Sequence, residues 1–115
     1  MPTEENSLEN RPLTPYFDQW ESIREKIERL YDEKDYQAVE LMKVSIEKYG
    51  ELLELGGTGL DERTGKLVYK LIPLNGVERF EFVKSKVDSH YAYIQLDALF
   101  TETKKKAARL AVMKK

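Results

Sequence analysis

The stretch DYQAVELMKVSIEKYGELLEL, residues 35–55, decides how the rest of this chain folds. Its apolar residues recur at steps of three and four, which places them on one face of a helix. That face carries Val39, Met42, Ile46, Tyr49 and Leu53, and Leu41, Ser45, Leu52 and Leu55 widen it. Glutamates and lysines take most of the remaining surface. A stripe this wide predicts a helix that packs against two neighbouring elements.

The segment before this stretch predicts a helix over residues 14–33. Thr14 and Pro15 are typical of a helix start, because threonine caps free amides and proline is tolerated in the first turn. The apolar residues Tyr16, Trp20, Ile23, Ile27 and Leu30 follow at helical spacing. The polar break before residue 35 is short, and a short connection makes neighbouring helices antiparallel. Residues 14–33 and 35–55 are therefore predicted to form an αα-hairpin that ends at Gly56 and Gly57.

Residues 30–49, LYDEKDYQAVELMKVSIEKY, resemble the helix-turn-helix unit of tetratricopeptide repeats. The resemblance covers Tyr36 and the apolar positions that follow the turn. A repeat array needs at least about three such units to bury its faces, and this chain has one. We therefore interpret the resemblance as helical-hairpin architecture alone.

The second half of the chain changes from a short β pattern to a helical one. Residues 61–66 are turn-like and residues 67–72 alternate in polarity, which predicts a β-hairpin insert over residues 58–73. A third long helix is predicted over residues 77–112, packed against the αα-hairpin. For residues 77–88 a strand also fits, because Phe80 and Phe82 alternate with their neighbours, although the helix is favoured.

Composition predicts one domain with two charged ends. Residues 14–103 form the predicted helical domain, residues 1–13 a disordered acidic tail, and residues 104–115 a basic helix end or tail. The chain has no cysteine, which excludes disulfides, thiolate catalysis and cysteine-bound zinc. It has no signal-peptide pattern and no apolar run near the roughly 18 residues that a membrane span needs. We expect a cytoplasmic protein without a membrane span.

Charge is distributed unevenly along the chain. Residues 103–115 hold six basic residues and no acid, which leaves 13 basic and 21 acidic residues in the rest, a net charge of −8. The basic end predicts weak, salt-sensitive contact with polyanions through Lys104, Lys105, Lys106 and Arg109. This is the alternative function, a nucleic-acid-associated accessory protein. Such lysines also complement a helix dipole without binding anything.

Three patterns bear on catalysis, and none predicts an active site. The segment KYGELLEL resembles the metal-binding helix of all-α nucleoside-triphosphate pyrophosphohydrolases, which implies that Glu51 and Glu54 hold magnesium with a second pair, Glu78 and Glu81. Solvated helix surfaces carry the same pairs, so a magnesium-dependent hydrolase is the less favoured alternative. The step at residues 64–66 lacks the spacing of a phosphate-binding loop and predicts a hairpin turn. His90 is the only histidine, which leaves no pair for a metal site.

Aromatic residues give the leading functional prediction. The chain holds more aromatic residues than a small core needs, which leaves two alternatives: some lie on the surface and contact a partner, or the core is itself rich in aromatic rings. The predicted partner-binding residues are Trp20, Tyr91, Tyr93 and Phe100. The predicted function is a non-enzymatic protein-binding module without cofactor or metal, acting as a regulatory, adaptor or assembly subunit of a bacterial or phage system. A homodimer is also expected, because a wide apolar third helix needs more cover than one helical hairpin gives.

Overall fold

Four α-helices and one two-stranded sheet make up residues 13–113, the part of the chain that this computed structural model describes, with side chains as far as residue 111. In chain order the elements are α1 (Thr14–Asp32), α2 (Gln37–Leu55), β1 (Thr58–Asp61), β2 (Lys66–Tyr69), α3 (Gly76–Ser85) and α4 (His90–Met113). The predicted fold class, mainly helical with a small β-hairpin, is confirmed. The predicted disorder of the N-terminal tail falls on residues 1–12, which lie outside the described residues.

The turn between α1 and α2 is held by backbone hydrogen bonds. The Lys34 amide donates to the Tyr31 carbonyl (3.0 Å) and the Asp35 amide to the Leu30 carbonyl (2.8 Å). Lys34 takes the left-handed conformation that this helix ending requires, with φ of 58°. The Asp35 carboxylate then accepts from the Gln37 amide (2.9 Å), which begins α2.

The start of α1 differs from its prediction in two ways. Thr14 is the first helical residue and does not cap the helix, since no side chain caps its first turn. Leu13, assigned to the disordered tail by composition, is buried and belongs to the core cluster. The apolar pattern therefore begins one residue earlier than composition indicated.

The β-hairpin pairs β1 and β2 antiparallel, with Leu60 opposite Leu67 and Asp61 opposite Lys66. Its turn is closed at Asp61, whose carbonyl accepts from the Gly65 amide (2.7 Å) and whose carboxylate accepts from the Arg63 amide (3.0 Å). Gly65 has a φ of 75°, which glycine adopts without a steric penalty. The interpretation of residues 64–66 as a hairpin turn is confirmed.

The predicted third helix is two helices, α3 and α4, and residues 77–85 are helical rather than extended. The chain leaves the helical conformation at Lys86, with φ of −121° and ψ of 35°. Ser89 then starts α4, because its hydroxyl accepts from the Tyr91 amide (3.1 Å) and its carbonyl from the Ala92 amide (3.0 Å). The break lets α3 fold back against α4.

The core lies where α2 meets α1, α3 and α4. Val39, Met42, Tyr49 and Leu53 are buried, as the predicted seam requires, and Ile46 is partly buried. The Tyr49 ring makes edge contacts with Phe80 and Phe100, each 5.0 Å between centroids. None of the helices in residues 13–113 is long and apolar enough to cross a membrane.

Candidate functional site

A groove of about 770 Å³ lies between the β-hairpin, the segment 70–75 that we call the connector, and the C-terminal half of α4. It is lined by Asp61, Arg63 and Val68 of the hairpin, Ile72–Asn75 of the connector, Gly76–Glu78 of α3, and Glu102, Lys105, Lys106 and Arg109 of α4. Apolar side chains and charged side chains of both signs therefore share one surface.

The floor of the groove is fixed by hydrogen bonds from α4 to the connector. The Thr103 hydroxyl donates to the Leu71 carbonyl (3.3 Å) and also lies 2.7 Å from the Tyr49 hydroxyl, and all three residues are fully buried. One turn further along, the Lys106 ammonium donates to the Ile72 carbonyl (2.6 Å). These bonds satisfy carbonyls that regular secondary structure leaves free, so the connector is held in one conformation.

Arg79 completes the support of the groove from α3. Its guanidinium donates to both carboxylate oxygens of Glu102 (2.9 Å each), to the Gln95 side-chain oxygen (2.6 Å) and to the Leu74 carbonyl (3.0 Å). The bidentate pairing raises the pKa of Arg79, and the same hydrogen bonds lower the pKa of Glu102. Glu102 is therefore ionised and already neutralised by Arg79.

The remaining cations of the groove are not neutralised in this way. Arg63, Lys105 and Arg109 are exposed and form no ion pair within residues 13–111. Lys106 is half-buried, and burial lowers its pKa, with the positive charge of Arg109 adding to the effect. The two carboxylates left after Glu102 are those of Asp61 and Glu78. The groove therefore has a net positive charge.

Two large apolar side chains lie in the groove and face solvent. Leu74 is 77% exposed and Val77 is 60% exposed. Beside them Val68 is half-buried and Pro73 is buried. Scattered apolar side chains are normal on a protein surface, but here they share a concave site with unpaired cations, which is typical of a binding surface.

The β-hairpin carries a second exposed apolar pair. Leu60 and Leu67 are direct cross-strand neighbours, 64% and 72% exposed. Strand alternation puts them on the hairpin face opposite Val68, so they point away from the groove. We call this pair the hairpin outer face.

Three of the four predicted partner-binding residues are in the core, which corrects the prediction that they lie on the surface. Trp20, Tyr93 and Phe100 are 2%, 4% and 3% exposed, and the Trp20 ring stacks on Phe100 with 4.8 Å between centroids. The Trp20 indole N–H is satisfied inside, because it donates to Asp97 (2.8 Å). Tyr91 is the one of the four that is exposed, at 72%.

The four predicted polyanion-binding residues divide into two groups. Lys105, Lys106 and Arg109 line the groove, whereas Lys104 is exposed and does not. The structure adds Arg63, which sequence reasoning missed because 46 residues separate it from Arg109 along the chain. No local pattern indicates that Arg63 and Arg109 line one groove, since this depends on where the fold places the hairpin turn relative to α4.

Two of the four carboxylates of the magnesium alternative contact other groups. Glu51 accepts from the Tyr16 hydroxyl (3.1 Å) and lies 3.7 Å from the Lys48 ammonium, and Glu81 lies 3.1 Å from that of Lys84. In the described part of the chain, no three His, Cys, Asp or Glu residues group together as potential metal ligands. His90 stacks on Tyr93 with 5.6 Å between centroids and lies 4.0 Å from Glu28.

Comparison with known proteins identifies a family. The model of the YpoC-like protein family matches residues 10–115, which is most of the chain, so the chain belongs to this family. No curated protein and no solved structure shows a significant match.

Proposed function

We propose that this YpoC-like chain is a non-enzymatic protein-binding module that holds its partner in the groove beside the hairpin. One observation carries the proposal. Exposed Leu74 and Val77 share a concave site with the unpaired cations of Arg63, Lys105 and Arg109. Apolar side chains next to charged ones are what a protein interface needs, with burial for affinity and charge for orientation.

The fixed floor supports the same proposal. A surface that is already ordered loses less conformational entropy when it binds than a mobile loop does. Side chains of α3 and α4 hold the connector carbonyls of Leu71, Ile72 and Leu74 in place. The role we assign is that of a regulatory, adaptor or assembly subunit. We place it in the cytoplasm, because a chain without cysteine forms no disulfides and so needs no oxidising compartment to fold.

Photocrosslinking in the source cells tests the proposal. A photoreactive phenylalanine analogue replaces Leu74 or Val77 in the groove, and Val44 serves as the control because it is exposed on α2 and does not line the groove. We expect the two groove positions to give the same discrete protein adducts and Val44 to give none of them. The proposal fails if neither groove position yields an adduct, or if Val44 yields the same set.

Nucleic-acid association is the second candidate, and the exposed cations favour it. Lys104, Lys105 and Arg109 project from consecutive turns of α4 without an ion pair among the described residues. Against it, Leu74 and Val77 add nothing to a phosphate contact. Binding of duplex and single-stranded DNA at low and high salt separates the two candidates, since phosphate contacts weaken steeply with salt.

The homodimer proposal is supported by the hairpin outer face. Leu60 and Leu67 are exposed on a two-stranded sheet whose edges are unpaired among the described residues. A second copy would cover this apolar pair. Sedimentation at two protein concentrations should show a dimer that the double variant Leu60→Ser, Leu67→Ser loses, and a monomer at both concentrations would exclude it.

A further inference from the structure

We propose that the groove binds an extended acidic segment of a partner protein, in which carboxylates alternate with large apolar side chains. The inference rests on the proposed function, because it names the partner chemistry for the same site. It is drawn from the spacing of the cations, from the apolar side chains beside them and from the carboxylates that also line the groove.

The spacing of the cations fits an extended chain. Lys105 and Arg109 are four residues apart on α4, so they lie on one helix face, about 6 Å apart along the axis. In an extended peptide, side chains on one face repeat every two residues, about 6.6–6.8 Å. Carboxylates at alternate positions of a bound segment can therefore contact both cations in register.

The opposite side of such a segment faces the apolar part of the groove. Leu74 and Val77 belong to the connector and the start of α3, and Lys105 and Arg109 to α4, so the two kinds of side chain come from different walls. An extended segment presents alternate residues to opposite sides. The residues between the carboxylates would then bury their side chains against Leu74 and Val77, with Arg63 of the hairpin available to a further carboxylate.

The carboxylates in the groove favour a ligand whose negative charges are few and spaced apart over a ligand that carries many closely spaced charges. Asp61 and Glu78 line the same site and are not paired with a basic side chain in the described residues. A nucleic-acid backbone brings one charge per phosphate and would meet both of them. An acidic peptide can instead place neutral residues opposite Asp61 and Glu78.

A peptide selection tests the inference on the full chain. A random library of short peptides is displayed on phage and selected against the immobilised protein, and the enriched sequences are made as fluorescent probes. We expect enriched peptides with Asp or Glu at alternate positions and Leu, Ile or Phe between them. Their affinity should fall as salt rises, because the contacts with Lys105 and Arg109 are exposed to solvent.

Matched variants assign the binding to the groove. The double reversal Lys105→Glu, Arg109→Glu should weaken probe binding about tenfold or more, since each exposed contact is lost and replaced by repulsion. The control Lys26→Glu, Lys43→Glu changes the net charge equally at exposed positions on α1 and α2 and should change the dissociation constant less than about twofold. Thermal unfolding of each variant confirms that it folds.

The outcomes separate this inference from the proposed function. Enriched peptides without acidic residues, insensitive to the Lys105 and Arg109 reversal but lost in Leu74→Ser, Val77→Ser, would overturn the inference and leave the groove a protein-binding site. The proposed function would be overturned as well if both double variants bind the enriched peptides as tightly as the parent and photocrosslinking yields no groove adducts. A single-stranded oligonucleotide that binds through Lys105 and Arg109 when no peptide is enriched would assign the groove to polyanions.

Discussion

Lys34 adopts a left-handed backbone conformation at a cost in free energy. The conformation is required because the amides of Lys34 and Asp35 close the end of α1. A side chain with a Cβ in this conformation destabilises the folded state by roughly 1–2 kcal/mol. Glycine avoids that cost, but it also increases the conformational entropy of the unfolded chain, which cancels part of the gain. We expect Lys34→Gly to raise the free energy of unfolding by about 0.5–1 kcal/mol in urea denaturation. Lys34→Ala keeps the Cβ and loses the charge, so equal stabilisation by alanine would contradict this explanation.

Tyrosine ionisation gives the fold a dependence on alkaline pH. Burial raises the pKa of Tyr31, Tyr49 and Tyr93 to about 12, from 10.0 for an ordinary tyrosine. The unfolded chain therefore loses these protons first, so the stability they contribute is complete below pH 10 and is lost as pH rises towards 12. Urea unfolding across this range should show the decline, and ultraviolet absorbance should show tyrosinate forming as the fold is lost.

The variant Tyr49→Phe is the control for this pH dependence. It removes one of the three tyrosines, so its stability should decline less steeply between pH 10 and 12 than that of the parent. All other titratable groups are the same in the two proteins, so the difference between their curves reports on Tyr49 alone. Parallel curves for the two proteins would show that Tyr49 ionises outside the range that its burial indicates.

At the scale of elements, periodicity predicted α1, α2 and the β-hairpin but not the break between α3 and α4. Val83 and Val87 continue the apolar stripe of α3 towards Tyr91, so a helical period runs through the break without a change of phase. The spacing of apolar residues indicates which residues share a face of a helix, but it does not indicate whether the chain turns back between two helices. Asp88 and Ser89 are typical of a helix start and were the one local sign of the break.

Gly50 within α2 and Gly56 just after its end should respond in opposite directions to the same substitution. A Cβ at Gly56 would lie 2.5 Å from the Leu71 Cδ1, and Leu71 cannot move freely because it is fully buried and its carbonyl accepts from Thr103. We expect Gly56→Ala to lower the free energy of unfolding by about 1–3 kcal/mol, as overpacking does. Gly50 lies inside α2 with nothing within 4 Å of its added Cβ. Gly50→Ala should therefore raise the free energy by about 0.5–1 kcal/mol.

Urea denaturation of both glycine variants makes this a paired test. Gly56 has helical backbone angles (φ −72°, ψ −14°), so alanine meets no backbone strain there, and a loss of stability at Gly56 alone indicates the contact with Leu71. If Gly56→Ala is as stable as the parent, the Leu71 side chain has room to move, which would contradict the tight packing that its full burial indicates.

At the scale of the whole molecule, the groove lay beyond sequence reasoning, and so did the burial of three of the four predicted partner-binding rings. Arg63 and Arg109 line the same groove only because of the tertiary arrangement of the hairpin and α4, which no local pattern encodes. Of the two alternatives, surface rings or an aromatic-rich core, the structure shows the second for Trp20 and Phe100. The basic residues of α4 were found from composition, since Lys105 and Arg109 belong to a run without acids.

The C-terminal end of α4 is part of the fold as well as a source of positive charge. Lys106 donates to the Ile72 carbonyl, Ala107 is buried, and Leu110 packs against the core. Truncation after Lys105 should therefore lower the free energy of unfolding by about 2–4 kcal/mol, from a lost charged hydrogen bond and lost apolar burial. A deletion of this segment thus removes the floor of the groove together with the charge, so it cannot report on polyanion binding alone.

Neutralisation in place separates the two contributions. The triple variant Lys104→Gln, Lys105→Gln, Arg109→Gln changes only exposed side chains and should keep the free energy of unfolding within about 0.5 kcal/mol of the parent. If the exposed cations bind DNA, this folded variant should lose that binding. The variant Lys106→Met should instead lower the free energy of unfolding, because it removes the hydrogen-bond donor to the Ile72 carbonyl. A truncated chain as stable as the parent would show that the end of α4 does not hold the connector. The basic residues would then be free of any structural role, and their charge alone would remain to be explained.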